Sequence, residues 1–229
     1  MNKGRMISIS GIDGSGKTTQ LNFLAEHLKS QRYKGVFYSE LPPTEPISNV
    51  RIYYELLKPF DFAVIRSCCR CKETAALTSM IANSNHVMQR DLNRLSKLFI
   101  HDTFMWFQEV VYPALEDGKT LLFDRFYWDE LPYHYLFHDD LSELISFGET
   151  LIQPLRFYLK LPLDKMIDRN LNRPDQSKKI FDSPKKIKRI LEGYEQYVET
   201  HADFVLDATL SKEEIADYIL ARVYDSQCQ

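Results

Sequence analysis

One nine-residue stretch near the amino terminus constrains this chain more than any other feature. Residues 11–19 read Gly-Ile-Asp-Gly-Ser-Gly-Lys-Thr-Thr, which fits the Gly-x-x-x-x-Gly-Lys-Ser/Thr pattern of a phosphate-binding loop. An apolar run at residues 5–10 precedes the loop, and apolar residues at helical spacing follow it, as that loop requires. Glycines let the backbone turn so that successive N–H groups converge on a polyphosphate, and the helix N-terminus adds further donors. The sequence therefore predicts a strand–loop–helix unit that binds a nucleoside triphosphate.

The side chains of this loop have separate predicted roles. Lys17 is expected to lie exposed in the anion site and to reach the β- and γ-phosphates. The Thr18 hydroxyl is a predicted Mg²⁺ ligand. The residues predicted to bind ATP are Gly11, Asp13, Gly14, Ser15, Gly16, Lys17, Thr18 and Thr19.

Length and composition indicate an ordinary soluble globular protein. The 229 residues are 44% hydrophobic and 27% charged, enough for one large domain with a sizeable core. The net charge of −3 argues against bulk binding of nucleic acid or of an anionic membrane surface. The apolar run after Arg5 is too short for a signal peptide, and no apolar stretch approaches the roughly 20 residues of a membrane span. We expect a cytoplasmic protein.

Three of the four cysteines are clustered, at Cys68, Cys69 and Cys71, and Cys228 stands near the carboxyl terminus. In a reducing compartment, partly buried free thiols are the favoured interpretation. A zinc or redox site is the alternative, although zinc would need a fourth ligand.

Short apolar runs alternate with helical patterns along the chain, which favours one α/β domain over residues 1–229. The predicted strands are residues 5–10, 36–38, 119–123, 157–161 and 204–207. Predicted helices include 17–31, 48–57, 75–80, 86–115 and one from Ser211, capped with Glu214, to about residue 223. The predicted fold is therefore a three-layer α/β/α phosphate-loop NTPase fold with a five-stranded parallel sheet.

An acidic residue and a basic residue, Asp124 and Arg125, follow the predicted third strand. A carboxylate at that strand end can hold Mg²⁺ directly or through water, together with Thr18. The guanidinium of Arg125 offers a planar fork to a phosphate. A surface ion pair is the plain alternative, but the preceding phosphate loop favours a catalytic role for both residues.

A basic segment at about residues 169–183 is the predicted lid. It contains Arg169, Arg173, Lys178 and Lys179, with Pro174 interrupting the helix. Such a segment can close over the transferring phosphoryl group, supply charge and exclude water. Arg169 and Arg173 are the catalytic candidates, and a solvated basic loop is the alternative.

Taken together, these residues resemble the thymidylate kinase family. The resemblance depends on residues 11–20, on Asp124-Arg125-Phe126, on Tyr133-His134, on Glu192-Gly193-Tyr194 and on Leu206-Asp207-Ala208. It covers most of the chain and is weak at about residues 58–97 and 136–153. The activity that it implies is transfer of the γ-phosphoryl group of ATP to dTMP, with Mg²⁺, in a homodimer. The apolar side of the long helix, with Phe104, Trp106 and Phe107, is a candidate dimer face.

The resemblance also implies roles in binding the acceptor nucleotide. Asp13 would hold the sugar 3′-hydroxyl, Glu40 would be the acidic residue after the second strand, and Arg51 and Arg125 would bind the acceptor phosphate. Phe99 would stack on the base. The full set of acceptor-binding candidates is Asp13, Glu40, Arg51, Phe99, Thr103, Arg125, Tyr133 and His134.

The chain departs from the family pattern at several of these positions. The family's Glu-Pro-Gly-Gly loop is here Glu40-Leu41-Pro42-Pro43. Thr103 replaces an arginine that contacts the base, and His134 replaces a glutamine. Gly14 stands where some members place a catalytic arginine, which assigns that charge to the lid.

Two other functions stay open on the sequence alone. The same fold can phosphorylate a different acceptor, such as a deoxynucleoside, another pyrimidine monophosphate or a specialised metabolite. A nucleotide-binding protein without transfer activity is the third hypothesis, against which the intact Lys17, Thr18, Asp124 and Arg125 argue.

Overall fold

The computed structural model describes residues 4–40, 50–66, 72–83, 88–137, 140–171 and 184–225. Within them, a parallel sheet forms the centre of the molecule. Its strands are β1 (Arg5–Ser10), β2 (Gly35–Phe37), β3 (Phe62–Arg66), β4 (Thr120–Asp124), β5 (Leu155–Lys160) and β6 (Phe204–Asp207), in the order β2-β3-β4-β1-β5-β6. All neighbouring pairs are parallel. The predicted α/β fold is confirmed.

The predicted count of five strands is wrong, because β3 is a sixth. Its sequence Phe-Ala-Val-Ile-Arg is a short apolar run, which periodicity cannot distinguish from part of a buried helix. In the structure β3 pairs with both β2 and β4, and its first four residues are buried. The sheet extends one strand further from the phosphate loop than predicted.

Helices flank the sheet. The α-helices within the described ranges are α1 (Lys17–Ser30), α2 (Arg51–Leu57), α3 (Lys72–Asn83), α4 (Gln89–Trp106), α5 (Tyr112–Glu116), α6 (Leu131–Tyr135), α7 (Ser142–Thr150), α8 (Leu163–Leu171), α9 (Pro184–Gly193) and α10 (Lys212–Asp225). Two π-helical segments, Phe107–Val111 and Tyr194–Val198, follow α4 and α9. The predicted long helix therefore exists, as α4, the first π-helical segment and α5.

Several predicted element boundaries agree with the structure to within a few residues. The capping box before α10 is confirmed, because Ser211 Oγ accepts from the Glu214 N–H at 3.2 Å and the Glu214 carboxylate accepts from the Ser211 N–H at 3.0 Å. The predicted start of α2 at Ser48 lies outside the described residues. No helix in the described part of the chain is both long enough and apolar enough to cross a membrane.

The central strands are buried on both faces, as expected where helices cover a parallel sheet. Ile9, Leu122, Phe123 and Phe157 are all at most 4% exposed. In the register of the central pair, Ile9 of β1 lies opposite Asp124 of β4. The loops after β1 and β4 therefore leave the sheet side by side, and this edge carries the candidate site.

Candidate active site

The phosphate loop takes the backbone conformation that its glycines permit. Gly11, Gly14 and Gly16 have φ of 144°, 90° and 99°, in the region that L side chains rarely adopt. A Cβ at Gly11 would also lie 2.6 Å from Ser15 Oγ and 2.8 Å from the Leu159 carbonyl oxygen. Glycine is thus required at the start of the loop by both conformation and space.

Lys17, the first residue of α1, is folded back onto this loop. Its Nζ donates to the Ile12 carbonyl oxygen at 3.1 Å and lies 3.9 Å from the Asp13 carboxylate. The expected exposure of Lys17 is wrong, because the residue is only 7% exposed. Burial, followed by the nearby Arg125 guanidinium, lowers the pKa of the Lys17 ammonium to about 7, against the partial compensation of Asp13.

Arg125 joins the loop after β4 to the phosphate loop. It has φ of 71°, which is uncommon for a residue other than glycine. One guanidinium nitrogen donates to the Gly11 carbonyl oxygen at 2.9 Å and to the Tyr194 hydroxyl, and another donates to the Asp13 carboxylate. The structure therefore brings together two predicted site residues, Asp13 and Arg125, that are 112 positions apart.

Two residues of this cluster, Asp129 and Tyr194, are not among the site residues predicted from the sequence. Asp129 is completely buried, and its carboxylate accepts from the Gly11 N–H at 3.2 Å, the Phe126 N–H at 3.0 Å and the Ser10 hydroxyl. Burial raises the pKa of the Asp129 carboxyl, while Arg125 opposes that rise. Tyr194, equally buried, donates to the Gly11 carbonyl oxygen at 3.3 Å.

Little in the sequence marks either residue. Asp129 is a single aspartate in a short 3₁₀ turn, and Tyr194 is one of 13 tyrosines. Tyr194 belongs to the quoted Glu-Gly-Tyr resemblance, which is the available signal for it.

The predicted metal ligands are both oxygen donors. Thr18 is exposed beside the loop, and Asp124 is half-buried at the end of β4 with the Tyr38 hydroxyl 3.5 Å from its carboxylate. A hydroxyl and a carboxylate are hard oxygen ligands of the kind that Mg²⁺ prefers, so the donor set fits that ion. Ser15 Oγ is buried in the same loop and has no hydrogen-bond partner among the described residues.

Arg169 connects the end of α8 to the phosphate loop. Its two terminal nitrogens donate to the Gly14 carbonyl oxygen at 3.0 Å and to the Ala208 carbonyl oxygen at 2.9 Å. Arg169, a residue of the predicted lid, therefore contacts the phosphate loop at Gly14. Arg173 and most of the predicted lid lie outside the described residues.

The predicted base-binding residues form an aromatic cluster beneath this edge. Phe99 is only 2% exposed and stacks on Tyr127, with ring centroids 5.2 Å apart and an interplanar angle of 22°. His134 lies tilted against Phe99 at 5.3 Å. Thr103, one helical turn after Phe99, is 1% exposed, and its hydroxyl has no hydrogen-bond partner among the described residues. These three predicted residues are thus adjacent, but packed in the core.

The other acceptor candidates lie closer to solvent. Glu40 is exposed and accepts from the Phe37 N–H at 2.7 Å, which caps the turn after β2. Arg51 is exposed at the first residue of α2. The ring of Tyr133 lies 6.0 Å from the Arg125 guanidinium carbon, so Tyr133 belongs to the Arg125 cluster.

The clustered cysteines and Cys228, on which the thiol and zinc interpretations depend, lie outside the described residues. Within the described ranges, no group of three or more His, Cys, Asp and Glu side chains is arranged to hold a metal ion.

Comparison with known proteins gives one consistent match. The family model described as thymidylate kinase matches residues 9–56 and 73–219. A probable thymidylate kinase of Thermococcus kodakarensis is 26% identical over 221 residues, spanning 95% of this chain and 96% of the relative. Thymidylate kinases of Halothermothrix orenii and Oenococcus oeni are 26% and 28% identical over 229 and 240 residues, with at least 96% of each chain covered.

Proposed function

The chain belongs to the thymidylate kinase family, and from that membership and the geometry of its site we infer that it transfers the γ-phosphoryl group of ATP to dTMP. The observation that carries this proposal is the junction of the phosphate loop with Arg125. Arg125, which we assign to the acceptor phosphate, contacts both Gly11 and Asp13 of the loop that we assign to ATP, and these contacts support donor and acceptor sites that share a boundary. A kinase needs its two nucleotides held in line across such a boundary.

The residues at this junction supply positive charge where the reaction develops negative charge. Lys17 turns from the Ile12 carbonyl to the β- and γ-phosphates, and Arg125 takes the acceptor phosphate. Arg169, with Arg173 as the second lid candidate, adds charge from the side of Gly14. Preorganised cations of this kind typically provide most of the rate enhancement in phosphoryl transfer. The acceptor phosphate is already an anion near neutral pH, so no strong general base is required.

Thr18 and Asp124 are the residues that would hold Mg²⁺, directly or through water. When bound, the ion would neutralise charge on the donor phosphates. The protein's own part is to place the Thr18 hydroxyl in the first turn of α1 and the Asp124 carboxylate at the end of β4, the strand that pairs with β1.

For the acceptor, we assign Asp13 to the sugar, Arg51 and Arg125 to the phosphate, and Phe99 to the base, with Glu40, Thr103, Tyr133 and His134 around them. Phe99 and His134 are covered in the present conformation. Stacking on the base therefore requires Phe99 to give up part of its contact with Tyr127. That movement is a testable requirement of the assignment.

We also propose that the enzyme is a cytoplasmic homodimer that acts on small-molecule nucleotides. The dimer face predicted from the sequence needs correction, because Trp106 and Phe107 are 2% and 1% exposed and belong to the core. Phe104, at 48% exposure, is the apolar residue of that set available to a partner.

The test is a coupled ADP-release assay with ATP, Mg²⁺ and a panel of nucleosides and monophosphates. We expect turnover with dTMP and none with thymidine. Turnover only with a nucleoside or a non-pyrimidine monophosphate would keep the kinase fold and overturn the dTMP assignment. ATP binding without turnover of any acceptor would favour the nucleotide-binding protein without transfer activity.

A further inference from the structure

Asp129 is buried beside the phosphate loop and accepts hydrogen bonds from several of its neighbours. Its carboxylate accepts hydrogen bonds from the backbone N–H of Gly11, from the Ser10 hydroxyl and from the backbone N–H of Phe126. The first two belong to the end of β1 and the start of the phosphate loop, and the third belongs to the loop after β4. One side chain therefore ties these two loops together.

The same carboxylate also faces Arg125. The distance from Arg125 Nη1 to Asp129 Oδ1 is 3.6 Å, and Asp129 is completely buried. That guanidinium nitrogen also donates to the Gly11 carbonyl oxygen. Gly11 is consequently held on both sides, with its N–H on Asp129 and its carbonyl oxygen on Arg125.

The backbone conformation of Arg125 indicates what these hydrogen bonds stabilise. A φ of 71° is uncommon and strained for a residue other than glycine, and it persists only where neighbours enforce it. The N–H of the next residue, Phe126, is one of the groups that Asp129 accepts from. Asp129 thus stabilises the turn that aims Arg125 along the phosphate loop.

We propose that Asp129 is a positioning residue, which orients Arg125 toward the acceptor phosphate by fixing the turn after β4 against Gly11. The proposal rests on the proposed function for the identity of the acceptor. It requires that the effect of Asp129 on catalysis pass through Arg125. A carboxylate needed only for folding would act independently of that arginine.

The test is a double-mutant cycle on kcat/KM for dTMP, with Asp129→Asn, Arg125→Ala and both together. Asparagine keeps the size of the side chain but loses the charge and one of the two acceptor oxygens. We expect Asp129→Asn to lower kcat/KM by roughly 10- to 100-fold in the wild-type background, in line with loss of a charged hydrogen-bond acceptor. In the Arg125→Ala background we expect a further loss below threefold.

Asp203→Asn is the matched control. Asp203 also accepts hydrogen bonds from a backbone N–H and from a guanidinium group, both of Arg156, at 2.8 and 2.9 Å. It lies just before the amino end of β6, whereas the candidate site lies at the carboxyl ends of the strands. Its kcat/KM should stay within twofold of the wild-type value. If Asp129→Asn does not fold, Ser10→Ala removes a donor to the same carboxylate, and its smaller loss should show the same dependence on Arg125.

Equal losses from Asp129→Asn with and without Arg125, or a loss below threefold in the wild-type background, would overturn the inference and leave the proposed function intact. Absence of wild-type turnover with dTMP would overturn both. The two failures are therefore distinguished by the wild-type assay alone.

Discussion

Lys17 Nζ donates a hydrogen bond to the carbonyl oxygen of Ile12, 3.1 Å away and within its own phosphate loop. On the proposed assignment of the phosphate loop, the lysine therefore lies where a polyphosphate would bind. Burial lowers the pKa of its ammonium to about 7, so that near neutral pH a substantial fraction of the nucleotide-free protein carries a neutral Lys17. On that assignment, we expect polyphosphate binding to break this internal bond and to restore the charge on Lys17.

Lys17→Ala is expected to lower kcat by roughly 10²–10³-fold, because it removes a cation directed at charge that develops in the transition state. Its free energy of unfolding should not decrease, since the variant loses a desolvated cation close to Arg125. Steady-state kinetics and urea unfolding measure the two effects. Lys29→Ala is the control on the same helix, because Lys29 is exposed, pairs with Glu26 at the surface and lies over the ring of Phe37. A Lys17→Ala variant with more than a third of wild-type activity would contradict the phosphate-loop assignment.

Nucleotide binding should take up protons above pH 7. The phosphates raise the pKa of Lys17 from its lowered value of about 7, so the bound state holds more protons than the free state. Affinity must then fall as pH rises through 7, by at most tenfold per pH unit. Calorimetric titration of ADP in buffers with different ionisation enthalpies measures the uptake.

Lys17→Arg is the control for this proton uptake. Arginine stays charged throughout the range, and the phosphates of ADP ionise equally in both experiments. Equal proton uptake by the two proteins would show that Lys17 is not the group that titrates.

Arg169→Ala is expected to lower kcat more than it raises KM for ATP, because a lid arginine stabilises the transition state more than the bound substrate. In the structure, Arg169 donates hydrogen bonds to two carbonyl oxygens, those of Gly14 and Ala208. Arg169→Lys retains the charge but not the fork, so a partial rescue separates the two contributions. Arg173→Ala is measured in parallel as the second candidate. A tenfold rise in KM for ATP with intact kcat in both alanine variants would make these arginines binding groups only.

Base preference is expected to be relaxed. Thr103 is too short to replace the arginine that the family pattern places at this position, so we expect one polar contact to the pyrimidine to be lost or replaced. A methyl group in an apolar pocket is worth only about 1–3 kcal/mol, and we therefore expect kcat/KM for dUMP within roughly 30-fold of that for dTMP. Competition kinetics with the two monophosphates give the ratio. Discrimination beyond a thousandfold would mean that another polar group has taken over the contact.

Thr103→Val tests whether the hydroxyl of Thr103 serves the substrate. That hydroxyl is buried without a partner among the described residues, so its replacement by a methyl group should raise the free energy of unfolding by about 1 kcal/mol. The ratio of kcat/KM for dTMP and dUMP should not change. A rise in KM for dTMP alone would instead assign the hydroxyl to the thymine base.

The contribution of the sequence is clearest at the phosphate loop. Its nine residues, the strand before them and the helix after them are local features, and the structure has all three. The capping box at Ser211 and Glu214 was equally predictable, because its two residues are only three positions apart and the motif is also local. The family resemblance rested on such local motifs, and the comparisons confirm it.

Tertiary structure decided which elements pack against one another, because local motifs do not contain that information. The strand β3 is defined by its neighbours β2 and β4 and not by the periodicity of its own five residues. Phe99 was predicted as a base-stacking ring, yet its present partner is Tyr127 from another part of the chain. In both cases a short apolar stretch acquires its role from the surface that it packs against.

The candidate site divides in the same way. Sequence alone identified Lys17 and Arg125, because a phosphate loop and an Asp-Arg pair after a strand are recognisable locally. Only the fold could show that Lys17 is buried and that Asp129 joins Gly11 to the turn at Arg125. The physical reason is separation, since Gly11 and Asp129 are 118 positions apart, and burial and pKa depend on atoms that the folded chain brings together.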